Sequence, residues 1–146
     1  MTFTLLANSH ELWDNVKEYA ATCSWSAGKS LARDMENDIF SQWERVIVAC
    51  EKQEICGYCT VAKTDCIPNL SYTPYIGYVF VDERYRSHRV SQRMILFAMD
   101  YLQKLGFHEV YLVSDHDNFY EKYGFSVIDR ALSPWGSVEK IYHQTF

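Results

Sequence analysis

The chain has 146 residues, 48% hydrophobic and 16% aromatic, a composition that excludes disorder and suffices for a single domain, residues 1–146, with a sizeable core. Its net charge of −5 argues against a nucleic-acid partner, because that binding rests on neutralising phosphates. No apolar run approaches the roughly 20 residues of a membrane span, and Met1-Thr-Phe-Thr-Leu-Leu-Ala-Asn8 lacks the charged start and long apolar middle of a signal peptide, so no membrane partner and a cytoplasmic location are expected.

Residues 3–6 read as a short first strand. Asn8-Ser-His-Glu11 fits a capping box, and Leu12, Val16, Tyr19 and Ala20 follow at helical spacing. Residues 23–30, with Trp25 and Gly28, read as a loop, and Leu31, Met35, Ile39, Phe40 and Trp43 predict a second helix ending near Gln42. Residues 46–50 and 55–62 are two strands joined by the polar turn Glu51-Lys-Gln-Glu54. A loop with Pro68 and Pro74 leads to residues 75–81, the strongest strand. A long helix over 89–105 buries Val90, Met94, Ala98, Tyr101 and Leu105 and stops at Gly106. Leu96, Phe97 and Met99 extend its apolar surface, as if it were packed on two sides. Residues 109–113 form a strand, and 119–123 a short helix ended by Gly124. Residues 127–131 and 138–143 close the fold around Ser133-Pro-Trp-Gly136. The order β-α-α-β-β-β-α-β-α-β-β indicates a mixed α/β (α+β) fold with one central sheet.

Five cysteines, Cys23, Cys50, Cys56, Cys59 and Cys66, are an odd number, and free thiols are expected. Cys56-Gly-Tyr-Cys59 has the spacing of a redox dithiol or half a zinc site. It lies inside a strand, where no helix start stabilises a thiolate and an odd spacing sends the two side chains to opposite faces. No second pair completes a tetrahedral set, so a packing role is expected and no metal site.

Charge concentrates at one junction. Four of the seven arginines (Arg84, Arg86, Arg89, Arg93) and His88 fall inside ten residues where the 75–81 strand passes into the long helix. A helix start presents unpaired N–H groups and a positive dipole end, and arginines there make a site for a phosphorylated ligand. The plain alternative is a solvated face paired with Asp82 and Glu83.

Val79-Phe-Val-Asp-Glu-Arg-Tyr-Arg-Ser-His-Arg-Val-Ser91 and Asn118-Phe-Tyr-Glu-Lys-Tyr-Gly-Phe125 occur in that order with a strand between them. Together they resemble the GNAT superfamily of acetyl-CoA-dependent N-acyltransferases, closely over residues 46–131 and loosely over the N-terminal helices. The resemblance implies a central mixed, mostly antiparallel sheet flanked by helices, with acetyl-CoA as co-substrate in a cleft between the 75–81 and 109–114 strands. It also implies that Arg86, Ser87, His88, Arg89, Val90 and Ser91 hold the pyrophosphate. Arg86 takes the first position of the family's Gln/Arg-x-x-Gly-x-Gly/Ala loop and Ser91 the last. Arg89 departs from it, standing where glycine lets the backbone approach the phosphate. The backbone of Val79, Phe80 and Val81 is expected to pair with the pantetheine amides, and a strand N–H to polarise the thioester carbonyl.

Tyr120 occupies the place of the family's general acid, and a phenol with a pKa near 10 is protonated at neutral pH. Asn118 either hydrogen-bonds the pantetheine arm or caps the short helix, and Tyr123 reads as core. Asp82, Glu83, Asp115, His116 and Asp117 all lie near strand ends as candidate bases, and none is singled out. The acceptor, an amine-bearing small molecule or peptide, is expected over residues 23–36 and the Pro134-Trp135-Gly136 loop, with Asp34, Glu36 and Asp38 as possible attractors of its charge. The chain is expected to be a monomer or homodimer. Two rival readings are a non-catalytic acyl-CoA sensor on the same fold, motivated by Arg89, and a thiol or zinc protein using Cys56 and Cys59.

Overall fold

The computed structural model describes residues 1–146. Strands β1 (Thr2–Leu6), β2 (Arg45–Glu51), β3 (Glu54–Ala62), β4 (Tyr75–Val81), β5 (Glu109–Ser114), β6 (Ser126–Leu132) and β7 (Val138–Thr145) form one sheet in the order β1-β2-β3-β4-β5-β7-β6. Every neighbouring pair is antiparallel except β4 and β5. The connection between those two carries the long helix, as a parallel crossover requires.

Helices α1 (Trp13–Thr22) and α2 (Gly28–Glu36) cover one face of the sheet, and α3 (Val90–Lys104) the other. Strand alternation divides the core accordingly. Val46 and Val48 face Trp13, Val16, Leu31 and Met35, whereas Ile47 and Ala49 face Met94, Ile95, Ala98 and Leu102.

Several boundaries differ from the sequence reading. Asn8-Ser-His-Glu11 forms no capping box: Asn8 bonds Asp38 at 2.7 Å, and the His10 ring accepts the Leu12 N–H at 3.0 Å. The second helix stops at Glu36, not near Gln42, because Asp38 and Gln42 adopt positive φ and break the ladder. Helix α3 buries Ile95 and Leu102, while Leu105 is 45% and Leu96 53% exposed, so it packs on one side only. Tyr101 is half-buried and donates to the Trp43 carbonyl at 2.7 Å.

The two cysteines of the C-x-x-C pair do not point to opposite faces. Cys56 is an extra residue in β3, since Ala49 pairs with Gly57 and Cys50 with Ile55. That bulge resets the alternation and places Cys56 and Cys59 in the same buried cluster. The Cys56 thiol bonds the Ala49 carbonyl at 3.3 Å, and burial pushes its pKa up to about 11. Cys59 is fully buried and its pKa is raised by the same cause. All five cysteines are free thiols. No group of three His, Cys, Asp or Glu side chains is arranged to hold a metal ion.

Gly28 opens α2 where it meets α1 and the sheet. A Cβ there would overlap the Ala20 carbonyl oxygen and lie 2.8 Å from Cys23 Sγ and 2.9 Å from Tyr58 Oη. Gly28→Ala should therefore destabilise the protein by about 1–3 kcal/mol, as overpacking does. A fall in the urea midpoint with unchanged slope is the expected signature.

Candidate active site

Strands β4 and β5 pair only at Tyr75 and Tyr111, then separate. Strand β4 carries one residue more than β3 between Gly77 and Phe80, and Tyr78 takes up the difference with φ +49°. The opening between the strands joins two cavities.

The first, about 660 Å³, lies between the end of β4, the 3-10 turn Glu83–His88, the start of α3 and the 3-10 turn Tyr120–Tyr123. Its wall includes Val79, Phe80, Val81, Arg86, Ser87, Arg89 and Ser91. His88 and Val90 are not on it. The His88 ring lies beside Tyr85, and Val90 is buried in the core. Asn118 is also off the wall, at φ +58°, and the short turn has no side-chain cap. Tyr123, expected in the core, is a half-buried wall residue with its hydroxyl 3.1 Å from Ser91 Oγ.

Only two of the four clustered arginines face this cleft. Arg84 pairs with Asp82 at 3.0 Å and also with Glu54, and Arg93 lies 5.4 Å above the Phe3 ring. Arg86 folds back, donating Nε–H to the Val81 carbonyl at 3.0 Å with its guanidinium 5.8 Å from the Phe80 ring centre. The second cavity, about 590 Å³, is lined by Asp34, Asp65, Asp115 and Glu139 among aromatic side chains, with no lysine or arginine. Of the three acids expected near the acceptor, Asp34 is on this wall and accepts the Tyr78 hydroxyl at 2.9 Å. Glu36 pairs with Lys17 and Asp38 with Asn8 instead. Trp135 lines this cavity, but Pro134 and Gly136 do not.

Trp25, Val79, His116 and Tyr120 belong to both walls. Trp25 stacks on Phe80 at 6.0 Å with ring planes 3° apart. Tyr120 is 5% exposed and packed by Phe119, Tyr142 and Phe125. Burial raises its pKa above the ordinary 10, and nearby Tyr123, Cys59, Tyr142 and Asp115 add to the shift, so it stays protonated at neutral pH. The loop carrying His116 is tied to β7: Tyr142 donates to the His116 carbonyl at 2.7 Å, and Lys140 to the Asp115 and His116 carbonyls at 3.1 and 3.2 Å.

The sequence model of the acetyltransferase (GNAT) family matches residues 11–125. The chain belongs to that family. No curated protein sequence matches it. Among solved structures it is similar to an aminoglycoside 6'-acetyltransferase type Ii, with TM-score 0.75, 17% identity, and coverage of 99% of this chain and 97% of the other. An aminoglycoside 6'-N-acetyltransferase complexed with coenzyme A gives TM-score 0.75 at 16% identity and the same coverage. A GNAT-family acetyltransferase from Staphylococcus aureus Mu50 gives 0.69 at 16% identity, covering 99% of both chains. At these identities the likeness shows the shared fold. The acetyltransferase fold expected from the sequence, a mostly antiparallel sheet flanked by helices, is the one observed.

In this GNAT chain the candidate bases separate by environment. Arg84 hydrogen bonds hold Asp82 down at about 2, and Asp117 is lowered by its 2.6 Å bond to Lys140. Glu83 lines the first cavity, Asp115 the second and His116 both. Sequence reasoning missed Asp65 and Glu139. Burial lifts Asp65 to about 6, and Asp34 adds to the shift, while the Cys66 N–H at 2.7 Å opposes it. Glu139 shares a face with buried Ile141, an acid at a core position that the alternation of β7 makes visible.

Two outcomes follow from this geometry. Asp65 binds its proton more tightly folded than unfolded, so the stability it contributes is present below the ordinary carboxylate pKa of 3.8 and is lost as pH rises to about 6. Asp65→Asn should remove that slope and gain on the order of 2 kcal/mol at pH 7, measured by denaturation from pH 4 to 7. Arg89, where the GNAT loop carries glycine, has φ +55° and ψ +31°, the left-handed conformation that glycine adopts without strain. Arg89→Gly should stabilise the fold by up to about 1 kcal/mol and Arg89→Ala should not, read as paired thermal midpoints.

Proposed function

We propose that the chain transfers the acetyl group of acetyl-CoA to a primary amine, with Tyr120 protonating the departing thiolate. The observation that carries this reading is Tyr120's position on the wall shared by an arginine-bearing cavity and a carboxylate-bearing one. On one side Arg86, Arg89 and the backbone around Ser87 and Ser91 would receive the pyrophosphate, a doubly charged group suited to guanidinium and N–H donors. The β4 edge over Val79, Phe80 and Val81, unpaired toward β5, would accept the pantetheine amides as an added strand. CoA bound to a structural neighbour supports this ligand.

The amine would reach the thioester from the carboxylate side. Its nitrogen lone pair attacks the carbonyl carbon, an N–H of β4 stabilises the oxyanion, and collapse breaks the C–S bond. The phenol's raised pKa keeps its proton available to the sulfur at any working pH. An acceptor proton leaves to solvent or to a cavity carboxylate, and a proton returned from solvent restores the Tyr120 phenol, closing the balance as N-acetylated product and CoA thiol.

Two measurements test the reading. CoA should raise the thermal midpoint by mass action, and no shift at millimolar CoA contradicts it. Tyr120→Phe keeps the ring and its packing, so CoA affinity should survive while turnover falls about 10²–10⁴-fold. The wild-type profile should show no alkaline limb near pH 10, since the buried phenol ionises above its ordinary value. Wild-type turnover by Tyr120→Phe would assign the residue to packing alone.

A further inference from the structure

We infer that the acceptor is a small molecule with two or more amino groups, and that Glu139, with Asp115 beside it, holds an ammonium that does not react. The inference rests on the acetyl-transfer reading, because it names the acceptor of the same site.

Glu139 is the starting point. It is 6% exposed, it stands on the wall of the carboxylate-bearing cavity, and its Oε2 has no hydrogen-bond partner. A buried carboxylate oxygen is costly unless a donor or cation meets it, and nearly all such groups in proteins are met. Lys140 and His116 are close enough to act on its charge, but neither hydrogen-bonds nor ion-pairs with it. Asp115 on the same wall is a like charge. Lys140, adjacent in sequence, is committed to Asp117 Oδ1 at 2.6 Å and to two loop carbonyls.

The rest of the wall selects among cations. Asp34 and Asp65 add two more carboxyl groups from other elements, so acidic groups are distributed around a cavity of about 590 Å³. They do not gather into a group of three suited to one metal ion. Distributed carboxylates suit separate positive charges on one extended molecule, and the volume is in the range of small-molecule sites. Trp25, Phe40 and Trp135 offer ring faces that favour ammonium groups. A lysine side chain from a peptide brings one ammonium and leaves Glu139 without a partner once that nitrogen is at the thioester.

The test uses the CoA-loaded protein with no acetyl donor, and reads the intrinsic fluorescence of its four tryptophans, of which Trp25 and Trp135 line the cavity, as spermidine, kanamycin, hexylamine or a single-lysine peptide is added. Spermidine or kanamycin should bind about tenfold or more tighter than hexylamine, the effect of one charge-assisted contact. Whichever of the two binds better shows whether the amines sit on a linear chain or an aminosugar. Glu139→Gln should erase the advantage while leaving hexylamine unchanged, and Asp115→Asn, at an exposed position, should reduce it without risk to folding. Equal affinities for multi-amines and hexylamine, tightest binding by the peptide, or equal weakening of all ligands by Glu139→Gln would overturn the inference. Turnover is a separate arm: amines that bind as described but are never acetylated count against the proposed reaction and leave the binding class standing.

Discussion

The active-site architecture depends on two neighbouring strands failing to stay paired. Parallel strands β4 and β5 share one pairing, Tyr75 with Tyr111, before they diverge. Backbone N–H and C=O groups need partners, so an abandoned ladder inside a sheet is tolerated only where something else can satisfy it. The extra residue in β4, with Tyr78 at φ +49°, turns the strand away from β5 while its pairing with β3 resumes at Phe80. Tyr78 is anchored in this conformation by its hydroxyl on Asp34 and by the Trp25 ring at 6.3 Å. The two cavities meet beside this gap, sharing Trp25, Val79, His116 and Tyr120.

That gap also separates charge. The chain is acidic overall, yet Arg86 and Arg89 stand on one cavity and four carboxyl groups on the other. Arg84 and Arg93 are engaged in ion pairing and in cover for an aromatic ring, so only Arg86, with Nε–H on the Val81 carbonyl, and Arg89 stand on the cleft wall. Opposite charges on the two walls favour an anionic ligand on one and a cationic ligand on the other. Tyr120 is neutral and buried among aromatic rings, so it adds no charge to either wall.

Arg89 shows how a departure from a family pattern is accommodated. The backbone conformation is the one glycine would take, and the side chain is exposed on the wall of the cleft. A left-handed arginine is strained, and strain of this kind collects where a ligand is received. The acyl-CoA sensor reading drew its motive from this substitution.

Element types and their order were legible because they depend on local pattern: short β-branched and aromatic runs for β2 to β5, a 3.6-residue stripe for α3, and the polar junction between β4 and α3. The arginine junction was legible for the same reason, whereas Tyr120 stands out only through the family resemblance of its segment. What the sequence could not determine was every feature that depends on a partner far along the chain. The bulge at Cys56 reversed the expected facing of Cys59 because register belongs to a pair of strands. Arg84 was separated from Arg86 by Glu54, thirty positions earlier. In the sequence Asp34 and Asp115 stand as separate candidates and Asp65 and Glu139 are not singled out, until the sheet order brings β3, β4, β5 and β7 together beneath α2. Local periodicity is written in neighbouring residues, whereas burial and charge pairing are set by which strands become neighbours, and only the folded chain decides that.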